Sequence, residues 1–294
     1  MERVRQTTGS LGAFAVNLES SRVLFRWALW NPNPTAIDML NHSIGTFRHF
    51  FGAEAEYIVC TDEPDLLSRR MATPASIIDF TTPDAEYLDR RATWLKWAPR
   101  FRFDIRATEF RVDADIFLLS EPTELREFIA GDGNDYLVTQ EQFTHTWPYG
   151  AFGFRLEDEI APITADLLGQ QDASELNLTF GFAPINAGLL GQRAGKDLSD
   201  EFREDYRWWC EHVETHEVEY YDEQGAVMWV LRRHIREGRV KLLDPMRYRI
   251  VCPNNEVPVE SVEGIIAMHA TYPDRPAFHK FLPEISAISG VGTA

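Results

Sequence analysis

Apolar residues along this chain follow two patterns, one with the period of an amphipathic helix and one of short, dense runs suited to buried strands. Val23 to Trp30 reads VLFRWALW and predicts a buried strand. Asn31-Pro-Asn-Pro34 stops it, with Asn33 placed to cap a helix and Pro34 suited to its first position. Ile37, Leu40, Ile44, Phe47 and Phe51 then recur at spacings of three and four, which predicts a helix, and Gly52 fits its end. Tyr57 to Cys60 is a second apolar run that ends in Thr61-Asp62. Strand, helix and strand in that order imply a right-handed crossover between parallel strands.

The alternation continues. Ser76 to Phe80 predicts a short strand, Pro83 to about Trp97 a helix, and Glu109 to Val112 a strand that runs into Asp113-Ala114-Asp115 and then Ile116 to Leu119. Pro122 to Ile129 reads as a short helix and Gly131 to Asn134 as a turn. The second half is more mixed. Leu176 to Phe182 alternates like a strand, and Pro184-Ile-Asn186-Ala-Gly188 follows it. Ser199 to His216 predicts a helix, and Asp222 could cap another that Gly238 closes. Val240 to Leu243, Tyr248 to Val251 and Ile265 to His269 read as late strands, and everything after Tyr272 as a tail with three prolines. The predicted class is α/β with a mostly parallel sheet flanked by helices.

Composition narrows the function. Of 294 residues, 44% are apolar and 26% charged, which is ordinary for a folded protein and excludes a disordered or fibrous chain. The balance of 29 Lys+Arg against 46 Asp+Glu gives −17, so phosphate backbones and anionic lipid are repelled at long range. Nucleic acid and membrane surfaces are therefore not expected as partners, although a local cationic pocket for one small phosphorylated ligand fits. Cys60, Cys210 and Cys252 are odd in number and form no CxxC pair, which predicts reduced thiols in a cytoplasmic protein. Met1 to Ser10 has no apolar stretch, so no signal peptide is expected, and no run reaches the roughly 18 apolar residues of a membrane span.

The chemistry centres on Asp113 and Asp115. Residues i and i+2 of a strand share a face, and at a strand's carboxyl end two carboxylates would point into the crevice where open α/β sheets bind ligands. Two hard oxygen ligands there suit Mg²⁺ or Mn²⁺ shared with phosphates. In so acidic a chain a solvated turn explains a bare D-x-D equally well, but apolar runs on both sides argue against a loop tip.

Five stretches carry a more specific signal: SIGTFRHFFG with YIVCTD, RATWLKWAP, EFRVDADIFLLSEP, FAPINAGLLG, and YYDEQGAVMWVL followed by the late His269 in IIAMHATYPDRPAFHK. In this order the chain resembles nucleotide-sugar-dependent glycosyltransferases of the GT-A fold, in particular the glycogenin-like and bacterial galactosyltransferase-like retaining group. The resemblance implies one domain over residues 1–294, with a Rossmann-like nucleotide-sugar half (22–120), a mixed acceptor half (121–280) and a tail (281–294). It implies that Asp113, Asp115 and His269 hold Mn²⁺ or Mg²⁺, with Ala114 in the same donor-binding segment. Without the resemblance, a histidine on a buried strand is better explained as a core residue.

The resemblance further places Asn31, Thr61 and Asp62 beside the nucleoside, although Thr61 and Asp62 also suit an ordinary turn. In the related group an arginine before the D-x-D reaches the donor. Trp94 stands in that place here, so Arg91 or Lys96 would supply the charge. Asn186, with Gly188, is placed near the sugar, and Asp222 or Glu223 near the reacting carbon, where the inserted Glu leaves the register open. Trp147 and Tyr149 suit an acceptor platform or a small apolar cluster. The implied partners are a UDP- or GDP-sugar and a hydroxyl acceptor, and the implied reaction is hexose transfer with retention. A sugar nucleotidyltransferase of the same fold is the alternative, but Asn31-Pro-Asn-Pro34 lacks the glycines and cation that cradle a triphosphate. A binding protein without turnover is the other.

Overall fold

Strand β1 (Val23–Leu29) runs through the interior, and its rings show why the sequence closes here: Phe25 and Trp27 are fully buried. The computed structural model describes residues 22–80, 96–97, 100–140, 185–204, 223–253, 255 and 257–292. Helix α1 (Pro34–Phe51) follows β1, with the Asn33 side chain accepting from the Ala36 N–H and Gly52 ending it at φ 70°. Its apolar stripe meets β1 through Phe47, whose ring stands edge-on to Trp27 at 5.5 Å. The expected crossover is present, because β2 (Glu56–Thr61) pairs parallel with β1.

After α2 (Pro64–Arg70) come β3 (Ser76–Asp79), β4 (Thr108–Val112), β5 (Ile116–Leu118), α3 (Thr123–Ala130) and β6 (Tyr136–Gln140). Beyond them lie β7 (Ile185–Gln192), a helical stretch over 199–204, α4 (Glu223–Arg236), β8 (Val240–Leu242), β9 (Tyr248–Val251) and β10 (Ala267–Ala270). Two helices, α5 (Pro276–Lys280) and α6 (Leu282–Ser289), complete the described chain. One sheet has seven strands in the order β3-β2-β1-β4-β7-β6-β8, and a second has three in the order β5-β10-β9. Strands β3, β2, β1 and β4 are mutually parallel, whereas β7 is antiparallel to both β4 and β6. This is the α/β class expected, a mostly parallel sheet flanked by helices.

Three local readings are corrected. Residues 186–188, expected to follow a strand and its turn, lie inside β7, next to a register shift between Val138 and Thr139 of β6. Glycine further along β7 serves close packing: a Cβ on Gly191 would sit 2.8 Å from the Phe110 ring. Strand β6 itself was not anticipated. The stretch after Tyr272, expected as a tail, is helical, because α6 crosses α1 where Gly45 leaves room. A Cβ on Gly45 would lie 2.7 Å from Ser289 Cβ, and Ile285 is fully buried beneath. The helices expected over 83–97 and beyond residue 204, and the strand over 176–182, lie outside the described residues, apart from a short helical turn at 96–97.

Arg26, in the middle of the β1 apolar run, is also buried. It lies 3.2 Å from Glu109 of β4 and donates to the carbonyls of Arg100 and Phe101. The interior charge is thus met by one carboxylate and two backbone carbonyls.

A candidate metal and diphosphate site

Strand β4 ends at Val112, and Asp113, Ala114 and Asp115 form the turn that carries the chain into the second sheet. Ile116 N–H donates to Asp113 O across this turn, and Asp113 N–H donates to Gly188 O of β7. Helix α1 fixes the exit, since Trp27 donates to Ser43 Oγ and Ser43 donates in turn to Ile116 O at 2.6 Å. The two acids are therefore set by the sheet, not by a free loop.

His269 arrives through strand pairing. Antiparallel β10 places His269 opposite Ile116, and Ala270 N–H donates to Asp115 O. His269 Nε2 then lies 3.1 Å from Asp115 Oδ1 and 3.9 Å from Asp113 Oδ2. One donor atom from each of Asp113, Asp115 and His269 falls within 4.8 Å of the others, and all three side chains are largely buried. Two carboxylate oxygens and one imidazole nitrogen suit Mn²⁺ or Mg²⁺.

The tautomer of His269 follows from Asn186. Asn186 Oδ1 accepts the Gly188 N–H at 2.9 Å, which fixes the amide's orientation. The same Oδ1 lies 3.2 Å from His269 Nδ1, so Nδ1 carries a hydrogen toward Asn186 and Nε2 is the nitrogen that faces the acids. This is the outer hydrogen bond that orients metal-binding histidines. Gly188 supplies the space, because a Cβ there would stand 2.7 Å from His269 Cε1.

Burial lowers the His269 pKa, and Asp115, with Asp113, raises it by more, so its proton is held above the ordinary histidine range. For Asp115 burial works upward, and His269 and Arg275 outweigh it, leaving the carboxyl below its usual value. A divalent cation held by these three residues would take the place of that shared proton.

Three further cations face the acids. Lys96 Nζ is 3.5 Å from Asp113 Oδ2, Arg111 Nη1 donates to Asp113 Oδ1 at 3.1 Å, and Arg275 Nε is 2.9 Å from Asp115 Oδ2. Burial pushes Arg111 down to about 10, against the opposing pull of Asp113, which leaves it charged at neutral pH. Of the two cations weighed for this role, Lys96 reaches the acids and Arg91 lies outside the described residues. Arg111 and Arg275 were not anticipated. Arg111 was visible as the residue two before Asp113 on the same strand face. Arg275 sits in a backbone turn with φ 46°, following Asp274 at 64°, and its guanidinium also donates to Tyr272 O.

The other expected residues divide. Asn31, at φ 43°, gives its backbone N–H to Asp62 Oδ1 and Oδ2 at 2.8 and 3.1 Å, which ties the ends of β1 and β2 together. Thr61 is fully buried, and its hydroxyl accepts the Glu63 N–H, the ordinary turn role. A cleft of about 430 Å³ opens nearby between α1 and α2, lined by Pro32, Pro34 and Leu66 among others, but it includes none of the acid triad. Glu223 is the first residue of α4, whereas Asp222, Trp147 and Tyr149 lie outside the described residues. Cys60 is a buried thiol, pushed up to about 11 by that burial. Among the described residues, no helix is long and apolar enough to cross a membrane.

The seven-stranded, mostly parallel sheet flanked by helices, with a second small sheet beside it, is the GT-A fold. Among solved structures, the galactosyltransferase LgtC, in complex with donor and acceptor sugar analogues, is similar over 92% of this chain and 97% of its own, with a TM-score of 0.51 and 13% identity. An active-site mutant of LgtC gives a TM-score of 0.51 and 13% identity over 91% and 95% of the two chains. At this identity the likeness is one of fold. No family model and no curated protein matches the sequence.

Proposed function

We propose that this chain is a metal-dependent glycosyltransferase that moves a hexose from a nucleoside-diphosphate sugar to a hydroxyl acceptor, with retention. The carrying observation is the Asp113–Asp115–His269 triad at the carboxyl end of a central strand. A divalent cation held there would supply Lewis-acid stabilisation of the departing diphosphate. The chain's own groups do the rest. Lys96 and Arg275 lie beside the acids, where an anionic phosphate would replace the carboxylates as their partner. Asn31 and Asp62, at the ends of neighbouring strands, take the nucleoside. Asn186 acts through His269, with Gly188 giving the ring its place. Asp222 or Glu223, at the start of α4, and Arg91 are assigned to the donor sugar and its phosphates, and residues from the second half hold the acceptor. A UDP- or GDP-sugar is the donor class.

The test is calorimetry of UDP and GDP with and without Mn²⁺, followed by release of free diphosphate from matched sugar donors. Binding that needs Mn²⁺ and disappears in Asp115→Asn, together with turnover, supports the reading. Nucleotide binding indifferent to Mn²⁺ and to Asp115 would overturn it. Nuclear magnetic resonance of the first-formed product anomer decides retention.

A further inference from the structure

Among the described residues, three cationic side chains lie within 4 Å of the two acids. Among the described residues, Lys96, Arg111 and Arg275 set three permanent cations against the two carboxylates of Asp113 and Asp115, before His269 is counted. Arg111 is the most deeply placed of them, with a side chain 3% exposed. Its guanidinium lies over the Trp97 ring, 4.1 Å from the centroid, and its Nη1 holds Asp113 Oδ1. Its Nε and Nη2 have no hydrogen-bond partner among the described residues. Burying a guanidinium with two unmet donors is costly, and an apolar side chain of similar volume would pack against Trp97 more cheaply. Stability alone therefore gives no reason for an arginine at this position.

We propose that Arg111 keeps the acid pair from holding a divalent cation by itself and admits the cation only together with an anionic diphosphate. This inference rests on the metal and diphosphate reading above. A cation approaching Asp113 and His269 meets the Arg111 and Lys96 charges through little water, where screening is weak. Each diphosphate brings negative charge that these cations attract, so its arrival reverses the balance. The coupling is reciprocal: the diphosphate tightens the metal as much as the metal tightens the diphosphate. Because Asp113 Oδ1 is held by Arg111, the carboxylate also presents only Oδ2 toward His269.

The experiment is titration calorimetry of the full chain with Mn²⁺ alone, with inorganic pyrophosphate alone, and with pyrophosphate in saturating Mn²⁺. Wild type is expected to bind each alone weakly and both together tightly. Arg111→Met is expected to bind Mn²⁺ alone about tenfold more tightly and pyrophosphate in Mn²⁺ about tenfold more weakly. Arg111→Lys, which keeps the charge, should return both values toward wild type. A merely structural arginine would move both affinities in the same direction or neither, and either result overturns the inference. If Arg111→Met does not fold by circular dichroism, Lys96→Met removes the other cation on Asp113, and the same opposed shifts are required of it. Should wild type bind no pyrophosphate with Mn²⁺, or bind it equally well in Asp115→Asn, the metal and diphosphate reading itself fails. Asp115-dependent binding with parallel shifts in the Arg111 variants sinks only the role of Arg111.

Discussion

Gly188 and His269 compete for one space: a Cβ on the glycine would lie 2.7 Å from Cε1 and 2.9 Å from Nδ1 of the imidazole. The ring can lie between β7 and the acid turn only because residue 188 has no side chain. Gly188→Ala should therefore push His269 off its line to Asp115, with a stability loss of about 1–3 kcal/mol from overpacking. Calorimetry with Mn²⁺ and pyrophosphate should show at least about tenfold weaker metal binding, of the size seen when a ligand's support is lost. Wild-type metal affinity in a folded Gly188→Ala protein would show that His269 does not ligate.

Asn186 touches the histidine's far nitrogen, and that contact separates two roles for it. If it orients His269, Asn186→Ala should weaken the metal roughly 10- to 100-fold. If its part were only to contact sugar, turnover would drop while metal affinity stayed constant. Measuring both quantities in one variant decides between them.

His42 on α1 gives a pH dependence away from the site. Its Nδ1 is 2.8 Å from Ser289 Oγ of α6, and its ring stands against Phe278. Burial lowers its pKa, and Asp38 only partly opposes that. A neutral histidine buried in the fold must take up a proton in acid, so stability is lost as pH falls from about 6.5, the unfolded value, through the lower folded one. Above about 6.5 the contribution is fully present. Melting temperatures of wild type and His42→Gln should run parallel above that pH and converge below it. Parallel curves down to pH 5 would show that His42 does not titrate with folding.

The buried Arg26–Glu109 pair predicts strong non-additivity. Arg26→Met strands Glu109 in the interior and should cost about 3–5 kcal/mol by denaturant unfolding. The double variant Arg26→Met, Glu109→Leu should cost clearly less than the sum of the two single changes. Additive losses would mean that the two groups do not interact.

Sequence reading reached furthest where structure is local. The helix capped by Asn33 and closed at Gly52, and the parallel crossover from Val23 to Thr61, depend on residues a few positions apart. The acid pair was also legible as a D-x-D between two apolar runs, although both acids sit in the turn between β4 and β5 and not on a straight strand. His269 was legible only through resemblance. The tail reading failed because short, proline-started helices such as Leu282–Ser289 gain their stability from what they pack on, here α1 and its Gly45. Arg91, Asp222 and Trp147 stand as expectations.

The chain's own pattern determined that this protein would be an α/β fold with two carboxylates at a strand end. Only tertiary structure decided which charges stand around them. Pairing of β10 with β5 brings His269 to Asp115 across about half the chain, and the turn after β10 adds Arg275. Long-range register and close approach are set by which surfaces fit together, and no local spacing encodes that.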